Sequence, residues 1–206
     1  MTPALVLTLA AAAIGGYLLG SVPFGLVLTR AAGLGDIRSI GSGNIGATNV
    51  LRTGHKGLAL ATLLLDGGKG AIAVGLAALL TGADDLAMLT AGFAAVLGHN
   101  YPVWLGFKGG KGVATTFGTL AAACWPVGVA CGLTWLAVAA LARISSAAAL
   151  AALALSPVYA WLFSGPAAAL MAFGLAVMGF HRHQANIARL LKGEEPRIGA
   201  GRRKKG

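Results

Sequence analysis

An all-α integral membrane protein is the fold class this sequence predicts, on three observations. Hydrophobic residues make up 57% of the 206 and charged ones only 11%, whereas soluble domains carry about a quarter charged residues. The mean hydropathy is +0.78. The apolar residues also fall in long runs, and a helix needs about 20 of them to cross a bilayer. Low-complexity disorder is excluded, because it requires low hydrophobicity together with high net charge. A disulfide scaffold is excluded too. The two cysteines, Cys124 and Cys131, lie in apolar surroundings seven residues apart, a spacing that puts them on one helix face as packing thiols. The length suits a single domain over residues 1–206.

The first run, Pro3 to Thr29, has no basic residue ahead of it, and Arg30 is the first charge in the chain. A signal peptide carries its positive charge before the apolar stretch, so this run reads as a retained spanning helix. Further runs begin near Gly57, Asp85, Cys124, Ser146 and Pro166. A seventh, from Gly112 to Ala123, is short and needs burial among its neighbours. Within the second run Asp66 and Lys69 stand at i and i+3 and read as a structural pair holding a break at Gly67-Gly68. Ser145 and Ser146 are placed to cap the helix that follows Arg143. Gly16 with Gly20 reads as a helix-packing surface.

Charge placement sets the predicted threading. Breaks holding Arg30, Arg38, Arg52 and Lys56, then Lys108 and Lys111, then Arg143, then a basic tail from about Lys192, alternate with breaks that hold no cation. Seven crossings satisfy that alternation. The positive-inside rule then puts the N-terminus outside and the C-terminus in the cytoplasm. Topology thereby accounts for the net charge of +10, and no nucleic-acid partner is called for.

Three polar clusters interrupt the apolar pattern, all on the predicted cytoplasmic side. The first is Gly41-Ser-Gly-Asn-Ile-Gly-Ala-Thr-Asn49, ending in Arg52. It matches G-x-G-x-x-G as text, but that fingerprint needs a βαβ unit, and membrane spans flank it here. What remains is a loop whose backbone can approach an anion, with Ser42, Asn44, Thr48 and Asn49 as polar contacts and Arg52 able to fork onto a phosphate. The second cluster runs from Gly98-His-Asn-Tyr-Pro102 to Lys108, Gly109, Gly110, Lys111 and Gly112. Leu105 and Gly112 break the Walker A pattern. A glycine-rich turn with two lysines ahead of a helix still suits a phosphate, and equally suits lipid headgroups. In the third, His183 and Asn186 are three residues apart, a spacing that lets an amide orient a base. The same stretch also reads as a helix end whose cations complement its dipole. Ser146 is a candidate ligand contact from the sixth run.

Together these stretches, with His-Gln-Ala-Asn-Ile-Ala-Arg-Leu at 183–190, resemble the bacterial acyl-phosphate:glycerol-3-phosphate acyltransferases, an integral membrane family. The likeness covers essentially the whole chain, including Gly20-Ser-Val-Pro-Phe-Gly25 and Asp66-Gly-Gly-Lys-Gly70. It implies transfer of a fatty acyl group from acyl-phosphate to the 1-hydroxyl of glycerol 3-phosphate, giving lysophosphatidic acid, the first acylation step of phospholipid synthesis. It also implies a seven-helix fold in the bacterial inner membrane, a cytoplasmic-face site and a soluble enzyme that supplies acyl-phosphate. By motif, Ser42, Arg52, His183 and Asn186 would be essential, the glycines at 109–112 would bind glycerol 3-phosphate, and Glu195 would be mainly structural. Ala185 departs from the acidic residue usual before the asparagine, and His181 is a competing imidazole.

Acyl-phosphate is an activated mixed anhydride, so the chemistry calls for no metal, cofactor or acyl-enzyme. Two phosphate-bearing substrates call for converging cations, here Arg52, Lys108 and Lys111, while the acyl chain stays between helices in the membrane. A rival class, an organic-phosphate transporter, would place polar groups near the bilayer midplane and usually carry an internal repeat. The sequence has no evident repeat, and its clusters sit at one face.

Overall fold

The computed structural model describes residues 2–199, and every regular element among them is helical. Helix α1 (Pro3–Gly20) starts with Thr2 accepting from Leu5 N–H and with Pro3 in its first turn. The run predicted to continue to Thr29 is interrupted at Ser21–Pro23 and resumes as α2 (Phe24–Ala31). Pro23 brings no N–H to the helical ladder, and at this break the Val22 carbonyl accepts from Lys69 Nζ at 2.8 Å as well as from Phe24 N–H at 3.1 Å. A short α3 (Ala47–Leu51) follows the first polar loop.

Helix α4 (Lys56–Thr81) passes through Gly67-Gly68 without the predicted break. The bare backbone of Gly67 serves close packing instead: Gly118 lies so near it that a side chain at position 118 would have no room. Next come α5 (Asp85–Asn100), capped by Asp84, α6 (Val113–Ala123), α7 (Trp125–Ala142), α8 (Ser145–Ser164), α9 (Pro166–Arg182) and α10 (Gln184–Leu191). Cys124 is extended (φ −156°) between α6 and α7, so it does not share a helix face with the buried Cys131. Ser145 and Ser146 do not cap α8. The capping position is Ile144, and no side chain bonds there.

All seven predicted segments are helical, and four stretches are long and apolar enough to cross a membrane: Pro3–Ala31, Lys56–Thr81, Trp125–Ala142 and Ser145–Ser164. Helix α1 packs on α5, α4 on α5 and α6, and α8 on α7 and α9. The α1–α5 seam confirms the small-residue reading, since Gly16 and Gly20 bring α1 against the carbonyls of Ala91 and Ala95. The outer surface carries large apolar side chains, among them Leu79, Leu141 and Leu170, as lipid contact requires and water discourages.

Candidate active site

The second and third polar clusters, and through Arg52 the first, meet at one end of the bundle. His183 is the joint between α9 and α10. It is 2% exposed, and its Nδ1 lies 2.7 Å from the Gly179 carbonyl one turn back. A carbonyl only accepts, so Nδ1 carries the hydrogen and Nε2 keeps the free lone pair. Burial pushes the ring down to about 4, against the pull of that hydrogen bond and with help from the charge on Lys111. The imidazole is therefore neutral at pH 7 and able to accept a proton. His181, by contrast, is exposed and meets Gln184, which separates the two imidazoles that sequence could not.

Asn186 is buried in the first turn of α10. Its Oδ1 accepts from Lys111 Nζ, and its Nδ2 donates to Glu195 Oε1. Ser146 Oγ donates to the same carboxylate oxygen at 2.7 Å, and Arg189 Nε donates to the other at 2.6 Å. Although burial works the other way, bonds from Asn186, Ser146 and Arg189 hold Glu195 below the usual carboxylate range. Two further bonds dock this segment: Ile198 N–H to the Arg143 carbonyl (2.6 Å), and Arg143 Nη2 to the Ile198 carbonyl (3.3 Å). The chain just beyond Lys192, predicted as the start of a basic tail, is thus a wall of the site. Residues 200–206 lie outside the described residues.

Lys111 is the centre of charge. Burial pushes its ammonium down to about 8; Glu195 opposes the shift, while Arg189, Arg52 and Arg182 add to it. Four cations therefore sense one another around a single carboxylate. That surplus attracts an anion, and guanidinium and ammonium groups are the usual phosphate partners.

Gly112, in the left-handed region (φ +74°), turns the chain into α6. The amides of Gly109 and Gly110 are already engaged, donating to the carbonyls of Asn100 (3.2 Å) and His99 (3.0 Å). Their carbonyls accept from Arg182 Nη2 (2.8 Å) and Nε (2.9 Å), and the Arg182 guanidinium sits 5.1 Å from the Tyr101 ring centroid. These two glycines therefore build the scaffold. The amides of the first turn of α6, which follow Gly112, have no helical acceptor. The Lys108 side chain is exposed and makes no hydrogen bond or ion pair among the described residues, so it is not drawn into the cluster.

In the first loop the two asparagines turn inward. Asn49 Nδ2 serves the carbonyls of Ile37, Ile40 and Asn44 at 2.8–3.0 Å, and its Oδ1 accepts from Ser42 N–H at 3.0 Å. Asn44 Oδ1 accepts from Gly46 N–H at 2.9 Å. Both shape the loop, leaving Ser42 and Arg52 exposed on it. Thr48 Oγ1, 3.4 Å from Ser145 Oγ, ties the loop to the start of α8 beside Ser146. In the sequence Arg182 and Arg189 stand only as two cations of a basic stretch. Their roles depend on partners 72 and 6 residues away, and no local spacing signals such pairings.

The family model described as glycerol-3-phosphate acyltransferase matches residues 10–193. The chain is 76% identical over 193 residues to a glycerol-3-phosphate acyltransferase of Paramagnetospirillum magneticum, covering 94% of this chain and 95% of that one. It is 66% identical over 206 residues to one of Rhodospirillum rubrum, with 97% and 94% covered. It also superposes with a TM-score of 0.87, at 38% identity, on a crystal structure of PlsY, an integral membrane glycerol 3-phosphate acyltransferase, in its glycerol 3-phosphate form. That match covers 93% of this chain and 96% of the other. The lysophosphatidic acid form of the same enzyme gives 0.85.

Proposed function

Because the chain belongs to the glycerol-3-phosphate acyltransferase family, we propose that its cationic cleft binds glycerol 3-phosphate and acylates it from acyl-phosphate. The product is 1-acyl-sn-glycerol 3-phosphate, which makes this the first acylation of phospholipid synthesis. The observation that carries the reading is the surplus of positive charge around Lys111 beside a neutral histidine.

Lys111, Arg52 and the first-turn amides of α6 hold the phosphate groups. Ser42, exposed on the loop that Asn49 shapes, supplies a further hydroxyl contact. The 1-hydroxyl attacks the acyl carbonyl, its proton passes to His183 Nε2, and the carbonyl–phosphate bond breaks to release inorganic phosphate. Lys111 and the amides neutralise charge that develops on the oxyanion and the leaving group. Asn186, held by Glu195, which Ser146 in turn fixes, keeps Lys111 in place.

The acyl chain occupies a lateral apolar groove of about 400 Å³ between α4, α6 and α7. Gly67, Gly68 and Gly118 floor it, and Phe117 lines it. It follows α6 from Ala114, two residues past Gly112, to Ala121, about 10 Å at the helical rise. Chain in lipid and head in water suit a single multi-pass domain with seven crossings, the N-terminus outside and the site on the cytoplasmic face of the inner membrane. A soluble enzyme making acyl-phosphate then delivers the donor from that side.

The test is a product assay on purified protein with glycerol 3-phosphate and either palmitoyl-phosphate or palmitoyl-CoA. Lysophosphatidic acid from the acyl-phosphate alone, lost in Arg52→Ala and His183→Ala, is the expected result. Product from the CoA ester alone would overturn the donor assignment.

A further inference from the structure

Beneath the Gly109–Gly110 turn lies a second charged cluster that the reaction leaves unused. Asp66 and Lys69 of α4 and His99 of α5 are all under 5% exposed. Lys69 Nζ is 2.9 Å from Asp66 Oδ1, and its hydrogen bond runs to the Val22 carbonyl at the break between α1 and α2. The Phe24 ring lies 5.7 Å from the same ammonium. His99 Nδ1 stands 3.6 Å from Asp66 Oδ1, just beyond hydrogen-bond distance, and among the described residues neither atom has a hydrogen-bond partner.

The opposite edge of the His99 ring meets the turn. Gly110 lies so close to His99 Nε2 that even a methyl group would not fit between them, and Gly110 N–H donates to the His99 carbonyl at 3.0 Å. The next residue is Lys111. Charged groups among apolar helices are costly and tend to mark function. Apolar replacement of a buried ion pair is often neutral or stabilising, so stability alone does not account for this one.

We propose that Asp66, acting through His99, is a positioning residue for Lys111. The carboxylate fixes the imidazole against Gly110, and the fixed turn holds the Lys111 ammonium between Asn186 and the substrate phosphate. Lys69 neutralises Asp66 and anchors it to the α1–α2 break. Asp66 itself touches no substrate. The inference rests on the reading of Lys111 as a phosphate contact.

Steady-state kinetics of the full chain in nanodiscs test it, with palmitoyl-phosphate as donor and glycerol 3-phosphate varied. Asp66→Asn combined with Lys69→Gln removes both charges together, so no lone charge stays buried. His99→Leu deletes the ring nitrogens, His99→Gln keeps a donor facing Asp66, and Lys111→Met is the reference. The expected result is a rise of about tenfold or more in KM for glycerol 3-phosphate in the paired variant and in His99→Leu, with kcat and the donor KM changed less than about threefold. His99→Gln returns to within about threefold of the parent. If Lys111→Met raises that KM while the other variants leave it alone, the positioning role is overturned. A uniform loss in kcat and both KM values with a lowered Tm overturns it as well, because that is a structural defect. If Lys111→Met leaves the KM unchanged, the phosphate contact fails first and takes this inference with it.

Discussion

Two buried carboxylates anchor the charged parts of this molecule, and they are used in opposite ways. Asp66, inside the bundle, faces Lys69 and His99. Its charge closes at zero against one lysine, and no polar ligand is needed. Glu195, from the segment beyond α10, faces Arg189 directly and Lys111 through Asn186, with Arg52 and Arg182 close enough to act on Lys111. There one negative charge meets four positive ones. An ion pair therefore does not by itself indicate a substrate site; an unbalanced one does. A third carboxylate sharpens the contrast. Asp36 is held well below the ordinary carboxylate range by Arg38 and Arg30, yet it lies on the surface where solvent screens the pair.

The contrast can be broken from several directions. The largest effect belongs to His183→Ala, which removes the proton acceptor and should lower kcat by about 10²–10⁴-fold in the product assay. Lys111→Met comes next. Deleting a charge-assisted contact costs about 2 kcal/mol or more, so KM for glycerol 3-phosphate should rise by about 30-fold. Glu195→Gln keeps a hydrogen-bonding group toward Ser146 and Asn186 but withdraws the charge that supports protonation of Lys111. We expect a loss of about tenfold in kcat/KM at pH 8 that shrinks toward pH 6.5.

The parent protein carries the same signature more weakly. A lysine lowered to about 8 is charged below that pH and loses its charge above it, so kcat/KM for glycerol 3-phosphate should fall as the pH rises past 8. Lys111→Arg should remove that alkaline limb. His183, at about 4, stays neutral down to about pH 5, and ring-nitrogen NMR should show no titration near 6.5. The smallest effect is Asp36→Asn. An exposed pair contributes about 0–1 kcal/mol, and activity should hold within about twofold.

Much of the fold was legible because membrane helices announce themselves. Runs were expected from Pro3, Gly57, Asp85, Gly112, Cys124, Ser146 and Pro166, and helices start within a residue or two of each. The errors were local. Gly67-Gly68 suggested a break because glycine weakens helices in water, whereas here the bare backbone admits α6. The break fell instead at Pro23, where Lys69 from another helix reaches the Val22 carbonyl. In the site, the residue types of the three clusters were readable, but the direction of each side chain was not. Asn44 and Asn49 looked like ligand contacts and proved to shape their own loop. Gly109 and Gly110 looked like a phosphate cradle, and their amides pair with residues 99 and 100. Glu195, Arg182 and Arg189 gain their roles from tertiary contacts, which carry no periodicity.

The most direct test of the charge-surplus account is calorimetric titration of glycerol 3-phosphate into the purified protein at pH 7, without donor, for the parent and Lys111→Met. The account predicts that the substitution weakens Kd by about tenfold or more while the protein keeps its parent Tm. Equal affinity in the two proteins would contradict it and would place the phosphate somewhere other than beside Lys111.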